Sequence, residues 1–447
     1  MKILFVFPDD SENFFQIEKI DNRFFKKIMS NILSSGKALT FPILAALTPE
    51  KHSIELVEGG LNNINFEKNY DLVGISTITP YAYLAYRIAD EFRKREVPVI
   101  LGGWHASALP EEAIQHADSV VIGEAEEIWP QILKDSENKS LKRFYKTNNP
   151  VDPKNIPIPR NNIFSNDAEV GVQAARGCPV GCEFCAITHM KYRNVFRTRP
   201  IKTVIDEIKR LHSKDIIFHD NSLTINRSYS MQLFKELKTL NKKFLSFGNI
   251  NALGEDDEFL KLSHEAGCMG WGVGFESLSQ QSINSVSKKT NRVEKYAETI
   301  EKIHNHGMMV VGFFMFGFDY DDTDIFRITD EFVKSNKIDV PQFYILTPYP
   351  GTPIFTKFEK EGRILTKDWS KYKHDSNHVV FQPKHISPDD LVKNVLDLRK
   401  KHNTLSKNFL TMMRTLGYDP YLFLNFAMIN IYSSFNLMKT IINKPIN

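Results

Sequence analysis

Residues 176–185 read Arg176-Gly177-Cys178-Pro179-Val180-Gly181-Cys182-Glu183-Phe184-Cys185 and hold three of the four cysteines in the chain. The CxxxCxxC spacing places three thiolates on one short loop, as is typical of ligands to an iron–sulfur cluster. Because a cubane cluster has four irons, three cysteines leave one iron open to a small molecule. A structural zinc site takes four ligands, and His189 is the nearby residue that would have to complete it. We therefore predict that Cys178, Cys182 and Cys185 bind a [4Fe–4S] cluster, with zinc as the alternative.

The residues on either side of the cysteines sharpen this interpretation. The motif follows Ala174-Ala175 and precedes Phe196-Arg197-Thr198-Arg199-Pro200. With these flanks the chain resembles the radical S-adenosylmethionine (SAM) enzymes that carry an N-terminal cobalamin-binding domain. The resemblance extends from about residue 1 to about residue 400. It implies that the amino and carboxylate groups of SAM bind the open iron, and that electron transfer from the cluster cleaves SAM to a 5′-deoxyadenosyl radical.

Composition limits the classes of function. The 447 residues allow two or three domains, and a hydrophobic content of 42% supports extensive cores. Lysine and arginine total 57 against 54 aspartates and glutamates, a balance that gives no basis for nucleic-acid binding. Four cysteines, three of them clustered, argue against a disulfide scaffold and favour a cytoplasmic location. Residues 1–8 are too short for a signal peptide, and no run of about twenty apolar residues predicts a membrane-spanning helix.

Residues 1–140 alternate between short apolar runs and helical patterns, which predicts a flavodoxin-like, doubly wound parallel sheet of Rossmann-like character. The predicted strands are Lys2–Phe7, Ser53–Val57, Leu72–Ser76, Val97–Gly102 and Ser119–Gly123. Ligands of such sheets bind at the carboxyl ends of the strands. Small or polar residues occupy these ends, and we predict that they contact a cofactor: Ser76, Thr77, Gly102, Gly103, Gly123 and Glu124.

Two segments of this domain, Gly102-Gly103-Trp104-His105 and Gly123-Glu124-Ala125-Glu126, resemble the cobalamin domain of the family. The resemblance implies that the cofactor is cobalamin. Better-known cobalamin modules ligate cobalt through the histidine of a DxHxxG loop. Here the first strand ends in Pro8-Asp9-Asp10 and the second in Glu58-Gly59-Gly60, so no histidine of that loop is expected on cobalt. The alternative is a domain that has lost its cofactor and only packs against the enzyme.

Residues 141–167 are predicted to be an interdomain linker, because lysine, asparagine and proline are frequent there. Residues 168–360 repeat a strand–helix pattern six times, which predicts an open partial (βα)6 barrel with functional groups at the carboxyl ends of its strands. The predicted strands are Gly171–Ala175, Asp215–His219, Phe244–Asn249, Gly270–Glu276, Met309–Gly317 and Gln342–Thr347. The resemblance implies the same fold for this region.

Two strand ends of the barrel carry candidate SAM-binding residues. Asp220 and Asn221 follow the second strand, and the resemblance implies that they receive the ammonium group of SAM. The fourth strand contains Gly272 and Gly274, which clear one strand face for a large ligand. The same strand ends at Glu276, a candidate hydrogen-bond acceptor for a ribose or an ammonium group.

The turn after the sixth strand, residues 347–353, contains Pro350, and the resemblance implies that this turn contacts the adenosyl moiety of SAM. Cys268 lies far from the motif and is predicted to be buried and inert, as free cysteines usually are. His219 and Tyr344 are open to two interpretations, proton or radical transfer on the one hand and ordinary packing on the other. No catalytic residue is predicted.

Residues 361–447 are predicted to form a small, mainly helical C-terminal domain that selects the substrate. Its last apolar segment, residues 421–442, contains scattered asparagine and serine. It predicts a helix packed on this domain. The alternative is an interfacial helix that contacts a membrane peripherally and admits a lipid substrate, although the segment lacks the rich lysine and arginine face of such helices.

Together these features predict a cobalamin-dependent radical SAM enzyme that methylates an unactivated carbon of a small-molecule or lipid substrate. The resemblance implies three cofactors, namely the [4Fe–4S] cluster, SAM and cobalamin, and an electron donor such as flavodoxin or ferredoxin. One alternative is cyclisation or oxidation with the same cofactors and no methyl transfer. The other is a non-enzymatic iron–sulfur or cobalamin sensor, which would not require the glycine-lined strand.

Overall fold

The computed structural model describes residues 1–9, 39–164, 171–373 and 377–404, together with Met413. The predicted helix at residues 421–442, whether packed or interfacial, lies outside these residues. Within the described ranges, no helix combines the length and the apolar character needed to cross a membrane.

Strands and helices alternate along most of the described chain, as the sequence pattern predicts. The strands are β1 (Lys2–Pro8), β2 (Ser53–Gly59), β3 (Leu72–Ser76), β4 (Val99–Gly102), β5 (Ser119–Ile122), β6 (Phe144–Lys146), β7 (Ala175–Arg176), β8 (Arg197–Thr198), β9 (Asp215–Ile217), β10 (Lys243–Gly248), β11 (Cys268–Glu276), β12 (Met309–Phe316) and β13 (Val340–Ile345). The α-helices are α1 (Thr40–Ala46), α2 (Ala82–Arg93), α3 (Trp104–Ala108), α4 (Pro110–Ala113), α5 (Trp129–Glu137), α6 (Ala186–His189), α7 (Ile201–Arg210), α8 (Arg227–Leu237), α9 (Ile250–Gly254), α10 (Asp257–Glu265), α11 (Gln280–Ser285), α12 (Tyr296–Asn305), α13 (Asp324–Ser335), α14 (Pro353–Lys360) and α15 (Pro388–His402).

The N-terminal sheet has the strand order β2-β1-β3-β4-β5-β6, with every pair parallel. Apart from β6, this is the flavodoxin-like order that was predicted. Alternate residues of β1 enter two separate cores: Leu4 packs on one face of the sheet and Phe5 on the other. Both faces are therefore covered, as a doubly wound sheet requires. Strand β6 was not predicted, because its three residues fall within the lysine-rich segment interpreted as a linker.

The barrel sheet has the order β13-β12-β11-β10-β9 and is also parallel. The open partial barrel is confirmed, but its first predicted strand, residues 171–175, is reduced to one parallel bridge between Val172 and Phe218. The end of that segment instead forms β7, which pairs antiparallel with β8. The reason is local: the carboxylate of Asp220 accepts the backbone N–H groups of Ala174 and Ala175, so these groups do not continue the parallel ladder.

The two faces of the barrel sheet differ in their surroundings. On β12, Phe314 and Phe316 are fully buried in the core shared with the helices, whereas Phe313 and Met315 are only half-buried. Because side chains alternate across a strand, the half-buried residues lie on the face opposite the helices. This open face is the one that a ligand can reach.

The described part of the C-terminal region joins the two sheets. Phe381 packs in the core of the barrel, whereas Trp369 packs in the core of the N-terminal sheet, together with Phe355 of the barrel helix α14. Trp369 Nε1 also donates a hydrogen bond of 3.0 Å to Glu112 Oε1. These contacts fix the barrel against the N-terminal sheet.

Candidate functional site

The three clustered cysteines lie on the loop that follows β7. Cys182 is buried, and Cys178 and Cys185 are half-buried. The N–H of Cys178 donates to the carbonyl of Arg193 at 2.7 Å, and the N–H of Cys185 donates to the carbonyl of Cys182 at 3.0 Å. Burial raises the pKa of the Cys182 thiol to about 12, against the opposing effect of the Lys288 ammonium. Metal binding would therefore have to remove the proton from this thiol, as is usual for cysteine ligands.

Two glycines shape this loop. Gly177 and Gly181 have φ values of +92° and +80°, in the left-handed region that favours glycine. A Cβ atom on Gly177 would lie 2.1 Å from the carbonyl oxygen of Val195, so this position has to be glycine for the loop to close. A Cβ atom on Gly181 would meet no described atom within 4 Å. Open space thus lies beside the loop, next to the buried Cys182.

The donor set fits an iron–sulfur cluster better than a single metal ion. Among the described residues, no three Cys, His, Asp or Glu side chains are arranged to hold one ion. His189 Nε2, the candidate fourth zinc ligand, instead forms a hydrogen bond of 3.0 Å with the carbonyl oxygen of Cys182. A cubane cluster needs its thiolates spread around a larger core. Three cysteines beside open space fit that need, and the structure does not favour the zinc alternative.

Neighbouring segments hold the cysteine loop at the carboxyl ends of the barrel strands. The N–H of Glu183 donates to the carbonyl of Val286 at 3.0 Å, and the Ser287 hydroxyl donates to Glu183 Oε1 at 3.0 Å. The N–H of Ile354 donates to the carbonyl of Glu183 at 3.2 Å. The loop therefore contacts the segment after β11 and the start of α14. The turn containing Pro350 leads directly into α14, and its contact with the adenosyl moiety stays a prediction.

A buried ion pair faces the cysteine loop from the end of β11. Glu276 is 8% exposed and has a φ of +62°, and its Oε1 lies 2.5 Å from Lys288 Nζ. Burial lowers the pKa of Lys288, but Glu276 and Cys182 outweigh burial and raise it. A carboxylate beside an ammonium matches the charged end of an α-amino acid such as SAM. Lys288 was not predicted, because the pair Lys288-Lys289 is typical of an exposed surface.

We predict that Lys288→Met weakens SAM binding while the cluster is retained. Loss of a charge-assisted hydrogen bond costs about 1.5–3 kcal/mol, or about tenfold to hundredfold in the dissociation constant. Titration of SAM into the cluster-loaded protein measures this. Lys289→Met is the matched control, since Lys289 is exposed next to Lys288. Wild-type affinity in Lys288→Met would show that the ion pair does not bind SAM.

The glycines of β11 make room for protein side chains. A Cβ atom on Gly272 would lie 2.7 Å from the ring of Phe247. A Cβ atom on Gly274 would lie 2.4 Å from Glu276 Oε1 and 2.8 Å from Lys288 Nζ. The strand face is therefore cleared for an aromatic ring and for the ion pair. That these two glycines also contact SAM stays a prediction.

Asp220 anchors the chain just before the cysteine loop. It is 1% exposed, and its carboxylate accepts the N–H groups of Ala174, at 2.9 Å, and of Ala175. Burial raises its pKa to about 7, although these hydrogen bonds act in the opposite direction. Asn221 beside it is half-buried. The role of both residues in holding the SAM ammonium stays a prediction, whereas the backbone contacts of Asp220 are a structural role that the sequence did not reveal.

The predicted cofactor residues of the N-terminal sheet lie at one edge. Ser76 and Gly102 are register partners on adjacent strands, and the N–H of Thr77 donates to the carbonyl of Gly102 at 3.0 Å. Gly123 follows the next strand, β5. Gly103 has a φ of +91°, and a Cβ atom there would lie 2.6 Å from the carbonyl oxygen of Thr77. The edge is therefore closely packed backbone with few side chains, which lets a large ligand approach.

Two further side chains make this edge suitable for cobalamin. The buried hydroxyl of Thr147 has no hydrogen-bond partner within the described ranges, and it lies 3.8 Å from where a Cβ of Gly123 would be. Ile78, just after Thr77, is 47% exposed. An unpartnered buried hydroxyl and an exposed apolar side chain fit a large cofactor with both polar and apolar parts.

Glu124, the last predicted residue of this edge, faces the cysteine loop. Arg197 approaches its carboxylate with two nitrogens, at 2.8 and 2.9 Å. Arg193 Nε and Arg176 Nη1 lie 3.0 and 3.4 Å from Glu124 Oε1. Burial acts to raise the pKa of Glu124, but Arg197, Arg193 and Arg176 together hold it at about 2. Direct contact between Glu124 and a cofactor stays a prediction.

A doubly wound sheet with an open carboxyl edge, joined to a partial barrel with three cysteines at the ends of its strands, defines a radical SAM enzyme with a cobalamin-binding domain. Comparison with protein families agrees with this assignment. The sequence model of the Radical SAM superfamily matches residues 172–332, and that of the B12 binding domain matches residues 61–133.

Individual relatives extend the match beyond these two domains. Bacteriochlorophyllide d C-8(2)-methyltransferase of Chlorobaculum tepidum is 35% identical over 371 residues, covering 77% of this chain and 81% of that protein. Bacteriochlorophyllide d C-12(1)-methyltransferase of the same organism is 33% identical over 346 residues, covering 74% of each. The structure of the radical SAM methyltransferase TsrM from Kitasatospora setae, with cobalamin and a [4Fe–4S] cluster bound, has a TM-score of 0.68 and 14% identity over 99% of this chain and 100% of that one. At that identity the likeness shows the fold.

The chain therefore belongs to the cobalamin-dependent radical SAM methyltransferase family. It is an enzyme, and its cofactors are a [4Fe–4S] cluster, SAM and cobalamin. The sensor alternative is wrong.

Proposed function

We propose that the enzyme methylates an alkyl carbon of a planar tetrapyrrole. The observation that carries this proposal is a row of aromatic rings on the open face of the barrel. Phe313 lies between Phe247 and Tyr344, with ring centroids 5.9 and 6.3 Å away. All three rings lie across strands β10, β12 and β13 of the sheet. Such a wall suits a flat, apolar ring system, which stacks on aromatic side chains.

Two further observations support this substrate class. The guanidinium carbon of Arg399 lies 5.6 Å from the centroid of Tyr344, and its Nε donates to the carbonyl of Phe343 at 2.8 Å, which fixes a cation at the end of the aromatic row. A cation there suits a substrate that carries a carboxylate beside its ring. The two relatives from Chlorobaculum tepidum are named for methylation of bacteriochlorophyllide d, a tetrapyrrole.

When bound, the cluster and SAM supply the radical that removes a hydrogen atom, and cobalamin supplies the methyl group. In the net reaction, a C–H bond of the substrate becomes a C–CH₃ bond. Two SAM cations and two electrons from a flavodoxin- or ferredoxin-type donor are consumed. The other products are S-adenosylhomocysteine, 5′-deoxyadenosine and methionine. The residues of the chain hold and orient the reactants. In this assignment the three cysteines hold the cluster, Glu276 and Lys288 orient SAM, and the edge around Gly103 holds cobalamin. The aromatic row excludes water from one face of the substrate.

Phe313→Ala tests the substrate assignment. The reconstituted wild-type enzyme should transfer a trideuterated methyl group from SAM to bacteriochlorophyllide d, detected by mass spectrometry. Loss of the central ring removes stacking and apolar contact, so kcat/KM should fall by about tenfold or more, mainly through KM. Tyr320→Ala is the control, because Tyr320 is 55% exposed on the loop after β12. Equal kcat/KM in Phe313→Ala and wild type, or methylation of linear lipids with no tetrapyrrole product, would contradict the proposal.

A further inference from the structure

Glu124 lies where the N-terminal sheet meets the barrel. It follows Gly123 directly at the carboxyl end of β5, the edge assigned to cobalamin. Its side chain is 1% exposed, and Arg197 binds both carboxylate oxygens. The N–H of Val151 adds a hydrogen bond of 3.1 Å to Glu124 Oε2. A buried carboxylate held by a two-nitrogen fork and a backbone amide has little freedom to move.

Two other arginines, Arg176 and Arg193, connect Glu124 to Cys178, the first cysteine of the motif. Arg176 is two residues before Cys178, and its Nη1 lies 3.4 Å from Glu124 and 2.7 Å from Glu126. Arg193 Nε lies 3.0 Å from Glu124, and the carbonyl of Arg193 accepts the N–H of Cys178 at 2.7 Å. One carboxylate of the N-terminal sheet therefore braces the segments before and after the cysteine loop.

The positive charges in this cluster require the Glu124 carboxylate to balance them. Three guanidinium groups, those of Arg176, Arg193 and Arg197, face the two carboxylates of Glu124 and Glu126 in a largely buried space. Removing one carboxylate would leave buried like charges to repel one another. The arginines, and the backbone that they belong to, would then move apart.

We propose that Glu124 is a positioning residue that fixes the cysteine loop, and with it the cluster, relative to the cofactor at the neighbouring sheet edge. It acts through the arginines and touches no reacting atom. This role goes beyond the proposed function, which assigns nothing to Glu124. The two cofactors must serve one substrate carbon in turn, so their spacing affects how often hydrogen removal leads to methyl transfer.

Amide hydrogen exchange on the full chain, without substrate, gives the first readout. In Glu124→Gln, peptides covering residues 174–178 and 193–198 should exchange about tenfold faster or more, because their bracing ion pairs are lost. Peptides from β3 and β12 should be unchanged. Glu124→Asp keeps the charge and should restore part of the protection. Glu127→Gln is the matched control: Glu127 is an exposed residue of the same loop, and it accepts the N–H of Asp152.

The second readout is the ratio of 5′-deoxyadenosine to methylated product, which relies on the proposed function. At equal iron and cobalamin content, the ratio in Glu124→Gln should rise about tenfold, since a misplacement of an ångström has effects of that size or larger. Unchanged exchange near the cysteine loop would overturn the proposal. Faster exchange throughout both sheets with an unchanged ratio would also overturn it, because Glu124 would then only stabilise the fold. If the wild type methylates nothing, the proposed function fails, and the exchange data still decide the role of Glu124.

Discussion

A variant with alanine at Cys178, Cys182 and Cys185 will bind no iron–sulfur cluster and will form no 5′-deoxyadenosine from SAM. Thiolates are the ligands that hold such clusters, and these three lie on one loop beside open space. Without the cluster no electron reaches SAM, so cleavage should fall below detection. Iron and sulfide content and 5′-deoxyadenosine formation, measured after anaerobic reconstitution, check this expectation.

Cys268→Ala is the matched control for that experiment. Cys268 is 3% exposed in the core of the barrel, and its Sγ donates to the carbonyl of Gly270. It begins β11, a nine-residue strand whose other end is Glu276, so roughly 25 Å separates the two ends. This variant should keep its cluster. Loss of iron from Cys268→Ala, or SAM cleavage by the triple variant, would contradict the assignment of the cluster ligands.

Gly103→Trp should abolish cobalamin uptake and leave the iron–sulfur cluster in place. A side chain at residue 103 must enter the carboxyl edge of the N-terminal sheet, where the carbonyl oxygen and amide nitrogen of Thr77 lie 2.6 and 2.8 Å from a Cβ. The tryptophan side chain would occupy the space assigned to the cofactor, and its Cβ would push the backbone of Thr77 away. Absorbance of bound hydroxocobalamin after gel filtration measures uptake, and iron content shows that the barrel has folded.

Gly362→Trp separates this effect from backbone strain. Gly362 also has a positive φ, of +67°, but a Cβ there would meet no described atom within 4 Å. Both variants carry the left-handed penalty of about 1 kcal/mol. The Gly362 variant should bind cobalamin normally. Normal uptake by Gly103→Trp would instead show that cobalamin does not bind at the edge around Gly103.

The cobalt environment follows from the same edge. His105 lies on α3 next to Gly103, but it is 1% exposed and both ring nitrogens are engaged. Nδ1 lies 3.2 Å from Thr79 Oγ1, and Nε2 lies 3.2 Å from Glu112 Oε1. A histidine held on both sides is poorly placed to ligate cobalt. The expectation drawn from the missing DxHxxG loop, that no histidine of that loop binds the metal, stays a prediction.

The periodicity of the sequence was sufficient to predict both sheets, because each strand–helix unit is local and its apolar pattern is regular. It was not sufficient where a distant side chain intervenes. Asp220 takes the backbone N–H groups of Ala174 and Ala175 and so ends the first barrel strand early. Strand β6 is three residues long, too short for any period to be visible.

The same limit applies to the site. The cysteine motif and the small residues at the strand ends are local signals, and they were predicted. The pairing of Glu124 with Arg197 joins residues 73 positions apart, and no spacing rule connects them. Lys288 becomes recognisable only when the fold buries it beside Glu276. The glycine pattern of β11 predicted a strand face cleared for a large ligand, but the sequence did not show that Phe247 and Glu276 lie against these glycines.

The most direct test of the central claim is a labelling experiment on the wild-type chain reconstituted with the cluster, with and without hydroxocobalamin. Bacteriochlorophyllide d and SAM with a trideuterated methyl group are supplied with a reductant under anaerobic conditions. The enzyme is predicted to form 5′-deoxyadenosine and to place the labelled methyl group on a substrate carbon only when cobalamin is present. Formation of 5′-deoxyadenosine with an oxidised or cyclised product that carries no label, or labelling without cobalamin, would contradict it.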